Sequence, residues 1–347
     1  DPVITALSDG RVLVSWHDGQ NPSGSDIYGQ FITAEGLLSG TPFVVNTTTA
    51  ENQSKPAIAA LTSGGFVVAW QSLLQDGDLA GVYARVFDNA GAGGSEILVN
   101  TSTTGNQVQA DVAARADGGF GVGGADAAAP PQGQVYLQSY TAAGEPQGDN
   151  QLVSVDDVTT INNSVNIELT ELTDGSLVAV WNAWNGSQNI YGRTLEILVK
   201  QEPTPPREIG FTSPTSVLNA TLPGDQINPS IASLPGNQFV MTWSDRASLD
   251  GDRGGIFGRL YDETMTPLTS EFVVNTLTAD WQSKSNVASA PNGTFMAIWH
   301  QSNGWVEGQL FNASGEKQGP QFTVQEGFNG LSDVVADASG NFWVVST

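Results

Sequence analysis

The hydrophobic and polar positions of this chain follow a pattern that returns seven times. Each copy holds a five-residue apolar run, such as Phe66 to Trp70, and five of the seven runs end in tryptophan. Six residues before the end of each run stands a glycine or, once, an asparagine. These residues are Gly10, Gly64, Gly118, Gly175, Asn237, Gly293 and Gly340, spaced by 54, 54, 57, 62, 56 and 47 residues. The chain is therefore a tandem array of units of roughly 55 residues.

The recurring glycine predicts a backbone conformation. Glycine and asparagine best tolerate positive φ, so a left-handed residue is expected directly before each apolar run. Pro235 and Pro291 stand two residues before this position in their copies, which suits a type I turn. We expect a hairpin with a type I turn and a G1 bulge.

Each copy also predicts four short strands. In the second copy these are Ala57 to Leu61, Phe66 to Trp70, Val82 to Arg85 and Ile97 to Asn100. The third residue of the third strand is small in every clear copy, which indicates close packing against a neighbour. Seven residues after the asparagine that ends the fourth strand stands a glutamine, expected to satisfy backbone groups in the link between units. These glutamines are Gln53, Gln107, Gln226 and Gln282.

Four short strands cannot cover both of their faces, so each unit must stack on its neighbours. Radial stacking predicts an all-β fold, a β-propeller of four-stranded blades. The chain is interpreted as one propeller domain, 1-347, with repeats at about 3-56, 57-110, 111-166, 167-229, 230-285 and 286-330 and a partial repeat at 331-347. Six full copies and a last copy of two strands favour seven blades, with two closing strands outside this sequence. The alternatives are six blades, with the terminal strands sharing one, and a linear β-solenoid.

Composition excludes several partners. The net charge is -24, with 12 basic and 36 acidic residues, which repels nucleic acid and anionic membrane surfaces. The absence of cysteine removes disulfides, thiol chemistry and cysteine-bound zinc. No apolar run approaches the length of a membrane helix, so no membrane insertion is expected. The chain ends within an apolar run, and we expect it to be part of a larger polypeptide or assembly.

The second copy carries the most complete motif. Gly-Gly-Phe-Val-Val-Ala-Trp-Gln-Ser from Gly64 to Ser72 is followed by Asp76-Gly77-Asp78 and by Gly81 to Asp88. This motif resembles the tandem β repeats of large secreted bacterial proteins of the RTX and adhesin type. The resemblance implies a secreted or surface-displayed adhesion module and no enzyme activity. The RTX calcium-binding nonapeptide itself is missing.

Two equivalent loops offer a candidate calcium site. Asp76 and Asp78 in the second copy, and Asp250 and Asp252 in the fifth, flank a glycine and could direct two carboxylates at one hard cation. Backbone carbonyls would have to complete the coordination shell. The alternative is an ordinary Asx turn whose acids pair with an arginine on the following strand.

Three tryptophans outside the repeat pattern are candidate carbohydrate contacts, because an exposed aromatic face can stack on a sugar ring. They are Trp184, Trp281 and Trp305. The two histidines, His17 and His300, each follow a repeat tryptophan, and other copies carry Gln, Asn or Ser there. We interpret this as a generic polar position, and no catalytic constellation can be ranked from spacing alone.

Three functions remain open. The first is a non-enzymatic extracellular or cell-surface module that binds a glycan or a protein. The second is a structural spacer in a long extracellular protein or filament. The third is a polysaccharide-active enzyme with its site in the central channel of the propeller.

Overall fold

The computed structural model confirms an all-β propeller. It describes residues 2–19, 24–127, 134–154, 165–184, 186–198, 208–220, 224–247, 250–251, 253–327 and 330–346. Five antiparallel sheets hold four strands each, in chain order, and the sheet of the fourth unit holds five. A seventh sheet holds two strands.

The strands of the first three blades follow one another without interruption. They are β1 (Val3–Ala6), β2 (Val12–Asp18), β3 (Asp26–Ile32), β4 (Leu38–Val44), β5 (Gln53–Ala60), β6 (Phe66–Leu73), β7 (Ala80–Phe87), β8 (Gly93–Leu98), β9 (Gln107–Ala114), β10 (Phe120–Asp126), β11 (Gln134–Tyr140) and β12 (Pro146–Leu152).

The remaining strands form the fourth to sixth blades and the two-stranded seventh sheet. They are β13 (Ile167–Glu171), β14 (Leu177–Trp184), β15 (Gln188–Leu198), β16 (Glu208–Phe211), β17 (Ser216–Val217), β18 (Gln226–Leu234), β19 (Gln238–Asp245), β20 (Ile256–Asp262), β21 (Phe272–Val273), β22 (Gln282–Ser289), β23 (Phe295–Gln301), β24 (Val306–Phe311), β25 (Lys317–Gln325), β26 (Ser332–Ala336) and β27 (Phe342–Ser346).

The first strands of the seven units form a closed ring around the axis. Each packs against the first strand of the next unit, and β26 packs against β1. The ring rules out the linear solenoid. Because β26 pairs with β27 and β1 pairs with β2, the two ends of the chain lie in separate sheets rather than in a shared blade. Six complete blades and a two-stranded seventh unit therefore surround the axis.

Burial across a blade explains the apolar runs. In β6 the five residues from Phe66 to Trp70 are all 0% exposed, because the neighbouring blades cover both faces of this strand. The fourth strand β8 lies at the rim, and most of its side chains are exposed or half-buried. A polar outer strand also limits edge-to-edge aggregation.

The seven recurring glycine or asparagine positions all have positive φ, as predicted. In the second copy the Gly64 N–H donates to the Leu61 carbonyl at 3.0 Å, and the Leu61 N–H donates to the Gly65 carbonyl at 3.0 Å. This is the expected turn with a left-handed residue at its end. In the second copy the next residue, Gly65, is left-handed too. The type I turn predicted at Pro235 is wrong, because Gly236, the second central residue of that turn, has positive φ.

The recurring glutamine ties the link to the core. The Gln53 amide donates to the Ala50 carbonyl at 3.1 Å, as predicted, and its oxygen accepts a hydrogen bond from the Trp70 indole at 3.0 Å. Gln226 accepts from the Trp243 indole at 3.1 Å in the same way. The first strand begins at this glutamine, earlier than the apolar run indicates, because a bulge lengthens it.

The small third residue of the third strand lies under a large side chain of the fourth strand, as predicted. Gly258 is paired with Phe272, and a Cβ added to Gly258 would lie 2.8 Å from the Phe272 ring. Gly29 is paired with Phe43 in the same way, with the ring 2.6 Å from such a Cβ. The glycine therefore allows the aromatic ring to lie flat across the strand.

Among the described residues, no helix is long and apolar enough to cross a membrane. The Pro-rich segment 199–207 of the fourth copy lies outside the described residues.

Candidate functional site

A cavity of about 410 Å³ lies on the axis, between the N-terminal ends of the seven inner strands. Every unit contributes residues to its wall, from Val3 of the first to Asp333 of the seventh. A second cavity of about 420 Å³ lies at the opposite end, among the hairpin turns around Pro235, Pro291 and Ala338. Most of the polar and ionisable side chains that line these two cavities belong to the first one.

Bulges shape the wall of the first cavity. Lys55, Gln109, Asn228 and Lys284 are left-handed, with φ between 52 and 58°, and all four line the cavity. Each lies where the pairing of the inner strand with the second strand shifts register. A β-bulge changes the direction in which a side chain points. Residues held in a sparsely populated backbone conformation are common at binding sites.

One equivalent position on each inner strand, which we name the ring position, faces the axis. It is paired with the residue before the repeat tryptophan, as Ala57 is with Ala69 and Glu168 with Val180. The seven occupants are Val3, Ala57, Asp111, Glu168, Ser230, Asn286 and Asp333. Three carboxyl groups therefore surround the axis at the same depth.

Some ring-position side chains hold neighbouring blades together. In each case the side-chain oxygen accepts a hydrogen bond from the backbone N–H that follows the ring position of the next blade. The pairs are Asp111 with Leu169 at 2.6 Å, Ser230 with Val287 at 3.1 Å and Asp333 with Ile4 at 2.9 Å. Two of the three carboxylates therefore have a structural role as links between blades.

Glu168 is different, because no described residue donates a hydrogen bond to its carboxyl group. Burial in the cavity wall raises its pKa well above the usual value, and the nearby Asp111 and Asp333 carboxylates raise it further. Burial raises the pKa of Asp111 as well, against the hydrogen bonds that lower it. The cavity wall therefore holds two neighbouring carboxyl groups whose pKa values are both raised by burial.

Burial also acts on the other ionisable groups of the wall. It raises the pKa of Asp333 to about 6, although hydrogen bonds from Ile4 and Val334 oppose the shift. It lowers the pKa of Lys55. Both shifts reduce the charge of the cavity, so the wall offers hydrogen-bonding groups rather than a strong field of one sign.

The three predicted carbohydrate contacts all lie on the face where this cavity opens. Trp184 ends β14 and is 44% exposed, and Trp305 lies in the β23–β24 loop and is 37% exposed. Trp281 precedes β22 and accepts a hydrogen bond at its carbonyl from Ser302 at 2.9 Å. Gln301 donates to the Trp305 carbonyl at 2.9 Å, so the adjacent residues Gln301 and Ser302 connect the loops of Trp305 and Trp281. Trp184 lies two blades away.

The predicted calcium ligands are held by protein donors. Asp76 accepts a hydrogen bond from the Asn100 amide at 3.2 Å, and Asp78 accepts from the Gly105 N–H at 3.0 Å. Asp250 accepts from the Asn275 amide at 2.9 Å, and Asp252 lies outside the described residues. Within the described part of the chain no three acidic or histidine side chains are grouped closely enough to hold a metal ion. Calcium at these loops stays a prediction.

The two histidines do not meet. His300 makes a 2.9 Å hydrogen bond with the Ser332 hydroxyl of β26, and the β26–β27 unit lies between the sixth blade and the first, where His17 is located. Burial lowers the pKa of both side chains. They do not form a joint site.

Comparison with known proteins agrees with this architecture. No protein-family model matches the chain, and no curated protein sequence matches it. The solved structures that it resembles include an ulvan lyase (10% identity, 95% of this chain and 85% of that chain, TM-score 0.58). Others are an α-L-arabinofuranosidase from Fusarium graminearum (10%, 82% and 84%, TM-score 0.54) and an α-L-arabinanase from Penicillium chrysogenum complexed with arabinobiose (12%, 81% and 84%, TM-score 0.53). These likenesses show the fold.

The sequence contains a signal for the ring position, although the strand pattern alone did not identify it. In each copy the ring position stands thirteen residues before the last residue of the apolar run. Ala57 precedes Trp70 by this distance, and Glu168 precedes Trp181 by the same distance. The residue type changes from copy to copy, from Val3 to Asp333, so repetition of type does not reveal it. Only the alignment of positions, followed by a search for ionisable residues, would have found the three carboxyl groups.

Proposed function

We propose that the protein binds a carbohydrate chain at the mouth of the first cavity. The observation that carries this proposal is a polar axial cavity that opens on the face bearing Trp184, Trp281 and Trp305. Sugar recognition requires a concave site with converging hydrogen-bonding groups and an apolar surface for the C–H face of the ring. The cavity wall supplies amide, hydroxyl, carboxyl and ammonium groups.

Charge favours a neutral or amino-substituted glycan over a sulfated or uronic one. The net charge of -24 repels polyanions along the whole surface. Lys55 and Lys284 in the wall do not reverse this field, because three carboxyl groups share the cavity with them. Several solved structures of the same fold are named as enzymes or complexes of carbohydrates, which supports a carbohydrate ligand. The resemblance to secreted bacterial repeats supports an extracellular setting.

A glycan panel with neutral, amino-substituted and acidic members tests the proposal. We expect binding of neutral or amino glycans, and a three- to tenfold weaker affinity of Trp281→Ala or Trp305→Ala by calorimetry, since an aromatic contact contributes about 0.5–1.5 kcal/mol. Leu37→Ala serves as control, because Leu37 is an exposed apolar residue at a turn of the opposite face. Binding that is absent from the whole panel, or equally insensitive to all three variants, would reject the proposal.

A second function, hydrolysis of a glycosidic bond, is favoured by the two adjacent carboxyl groups of Asp111 and Glu168. In this reaction protonated Glu168 donates its proton to the bridging oxygen, and the bond between that oxygen and the anomeric carbon breaks. Ionised Asp111 accepts a proton from a water molecule, whose oxygen bonds to the same carbon. Burial, which raises the pKa of Glu168 well above its usual value, favours the acid form that this step requires.

Release of reducing ends from oligosaccharides measures this activity. We expect Glu168→Gln to reduce turnover at least a hundredfold while glycan affinity stays within a factor of about three, because the amide keeps the shape and loses the proton. Asp333→Asn, which alters the third carboxyl group at the same depth, is the matched comparison and should retain more activity. A panel of bound glycans that the wild-type protein leaves intact would limit the function to binding.

A further inference from the structure

The seventh unit has an unpaired sheet edge. In the six complete blades the second strand is hydrogen-bonded on both sides, as β6 is to β5 and β7. Among the described residues β27 pairs with β26 alone. All five residues of Phe342–Ser346 are half-buried, whereas the equivalent residues Phe66 to Trp70 are 0% exposed. Within the part of the chain that the structure describes, the outer side of β27 therefore lacks the cover that the other second strands have.

A second observation comes from the first blade. Trp16 and Tyr28 stack with ring centroids 6.0 Å apart and are both half-buried. The equivalent stacked pairs of the second, fourth and fifth blades are buried. They are Trp70 with Tyr83, Trp181 with Tyr191 and Trp243 with Phe257.

The reason for this difference lies in the preceding blade. Trp70 packs in one cluster with Ile27 of the third strand and Val45 directly after the fourth strand of the blade before it. For Trp16 the preceding unit is the two-stranded seventh, and its cluster contains Val335, Trp343 and Val345 of that unit only. The aromatic pair of the first blade thus lacks cover at the positions where a third and a fourth strand would lie.

We propose that a β-hairpin with the third- and fourth-strand pattern of this repeat docks on β27 and completes the seventh blade. Its first strand would pair with β27 in antiparallel register, through the free backbone groups of Phe342–Ser346. At the centre of this first strand, an aliphatic residue together with an aromatic residue or a glycine would cover the side chains of Trp16 and Tyr28. An asparagine after its second strand would bond to the first, as the Asn100 oxygen accepts from the Val82 N–H at 2.8 Å.

Two strands are required rather than one. Neighbouring strands lie about 4.8 Å apart, so a single added strand leaves the outer position of the blade vacant. A second copy of the chain that paired through its own β27 would bring β26, which is hydrogen-bonded to it, and the ring to which β26 belongs. The hairpin supplies the third and fourth strands alone, without a second ring beside the blade.

A synthetic peptide of residues 80–101, the third and fourth strands of the second blade, is the probe. We expect one-to-one binding by calorimetry with a micromolar dissociation constant, a rise of several degrees in the melting temperature and a blue shift of tryptophan fluorescence as Trp16 and Trp343 lose water. The same peptide with Ala84→Pro should not bind, because proline removes a backbone donor and disrupts the strand.

Variants of the protein localise the peptide. Trp16→Ala should weaken binding at least tenfold, whereas Trp184→Ala, an exposed tryptophan of the fourth blade, should leave it unchanged. If Trp16→Ala does not fold, the comparison of the original peptide with its Ala84→Pro variant still tests the proposal. The proposal is overturned if neither peptide binds, if the proline peptide binds equally well, or if ultracentrifugation shows a β27-mediated dimer that Val344→Lys dissociates. None of these outcomes bears on glycan binding.

Discussion

At the scale of single residues, the repeat tryptophans and glutamines show how a polar group is used inside an apolar core. Trp70 and Trp243 are buried, and an indole N–H without a partner there would cost about 1–3 kcal/mol. Gln53 and Gln226 supply the acceptor while their amide nitrogens bond within the same unit. The glutamine satisfies the buried indole in these two copies, whereas the Trp181 and Trp299 indoles have no hydrogen-bond partner among the described residues.

The carboxyl groups of the cavity predict a pH dependence of stability. Burial raises the pKa of Glu168 in the folded state, and it raises the pKa of Asp333 to about 6. The folded chain therefore holds protons that the unfolded chain releases above about pH 4. The free energy of unfolding should therefore fall as the pH rises from about 4 through 6 and beyond. Glu168→Gln should remove part of this fall and gain on the order of 1–2 kcal/mol at pH 8, with little change at pH 4.5.

Denaturant unfolding of both proteins across this pH range gives the measurement. Glu35→Gln, which removes the same charge from an exposed turn, is the control for the overall net charge. If Glu35→Gln and Glu168→Gln raise stability at pH 8 by equal amounts, the cavity has no special effect on Glu168.

At the scale of strands, the sequence predicted the hairpins well, because a positive φ restricts the residue type at one position. Gly64 and its equivalents identify the turn from sequence alone. The start of the first strand was harder to predict. The bulge at Lys55 breaks the alternation of apolar and polar residues, so the strand begins at Gln53, outside the region that periodicity covers.

The pairing of Gly258 with Phe272 predicts the effect of a small substitution. An added methyl group would lie 2.8 Å from the ring and displace Phe272 from the next blade, where its ring lies 5.5 Å from that of Phe311. Gly258→Ala should therefore cost about 1–3 kcal/mol of unfolding free energy. Gly94→Ala is the matched control, because Gly94 lies on an exposed outer strand with no atom closer than 3.6 Å. Equal stability of the two variants would contradict the packing role of Gly258.

At the scale of the whole molecule, the number of units can be predicted from the sequence repeat, whereas the ionisable residues of the cavity cannot. Seven apolar runs predicted the seven second strands and so the seven units of the ring, because stacking requires the same core in every unit. The cavity is built where the units differ, since Asp111, Glu168 and Asp333 take a position that Val3 and Ala57 occupy elsewhere. Repetition in sequence therefore predicts the scaffold, while the site depends on departures from it.

The position of a bound glycan tests the account most directly. A crystal structure of the protein with the tightest ligand of the glycan panel should show sugar rings at the mouth of the axial cavity, within hydrogen-bond distance of Glu168 or Asn286 and against Trp281 or Trp305. Sugar density on the outer strands or at the hairpin-turn end, with the cavity mouth free, would contradict it.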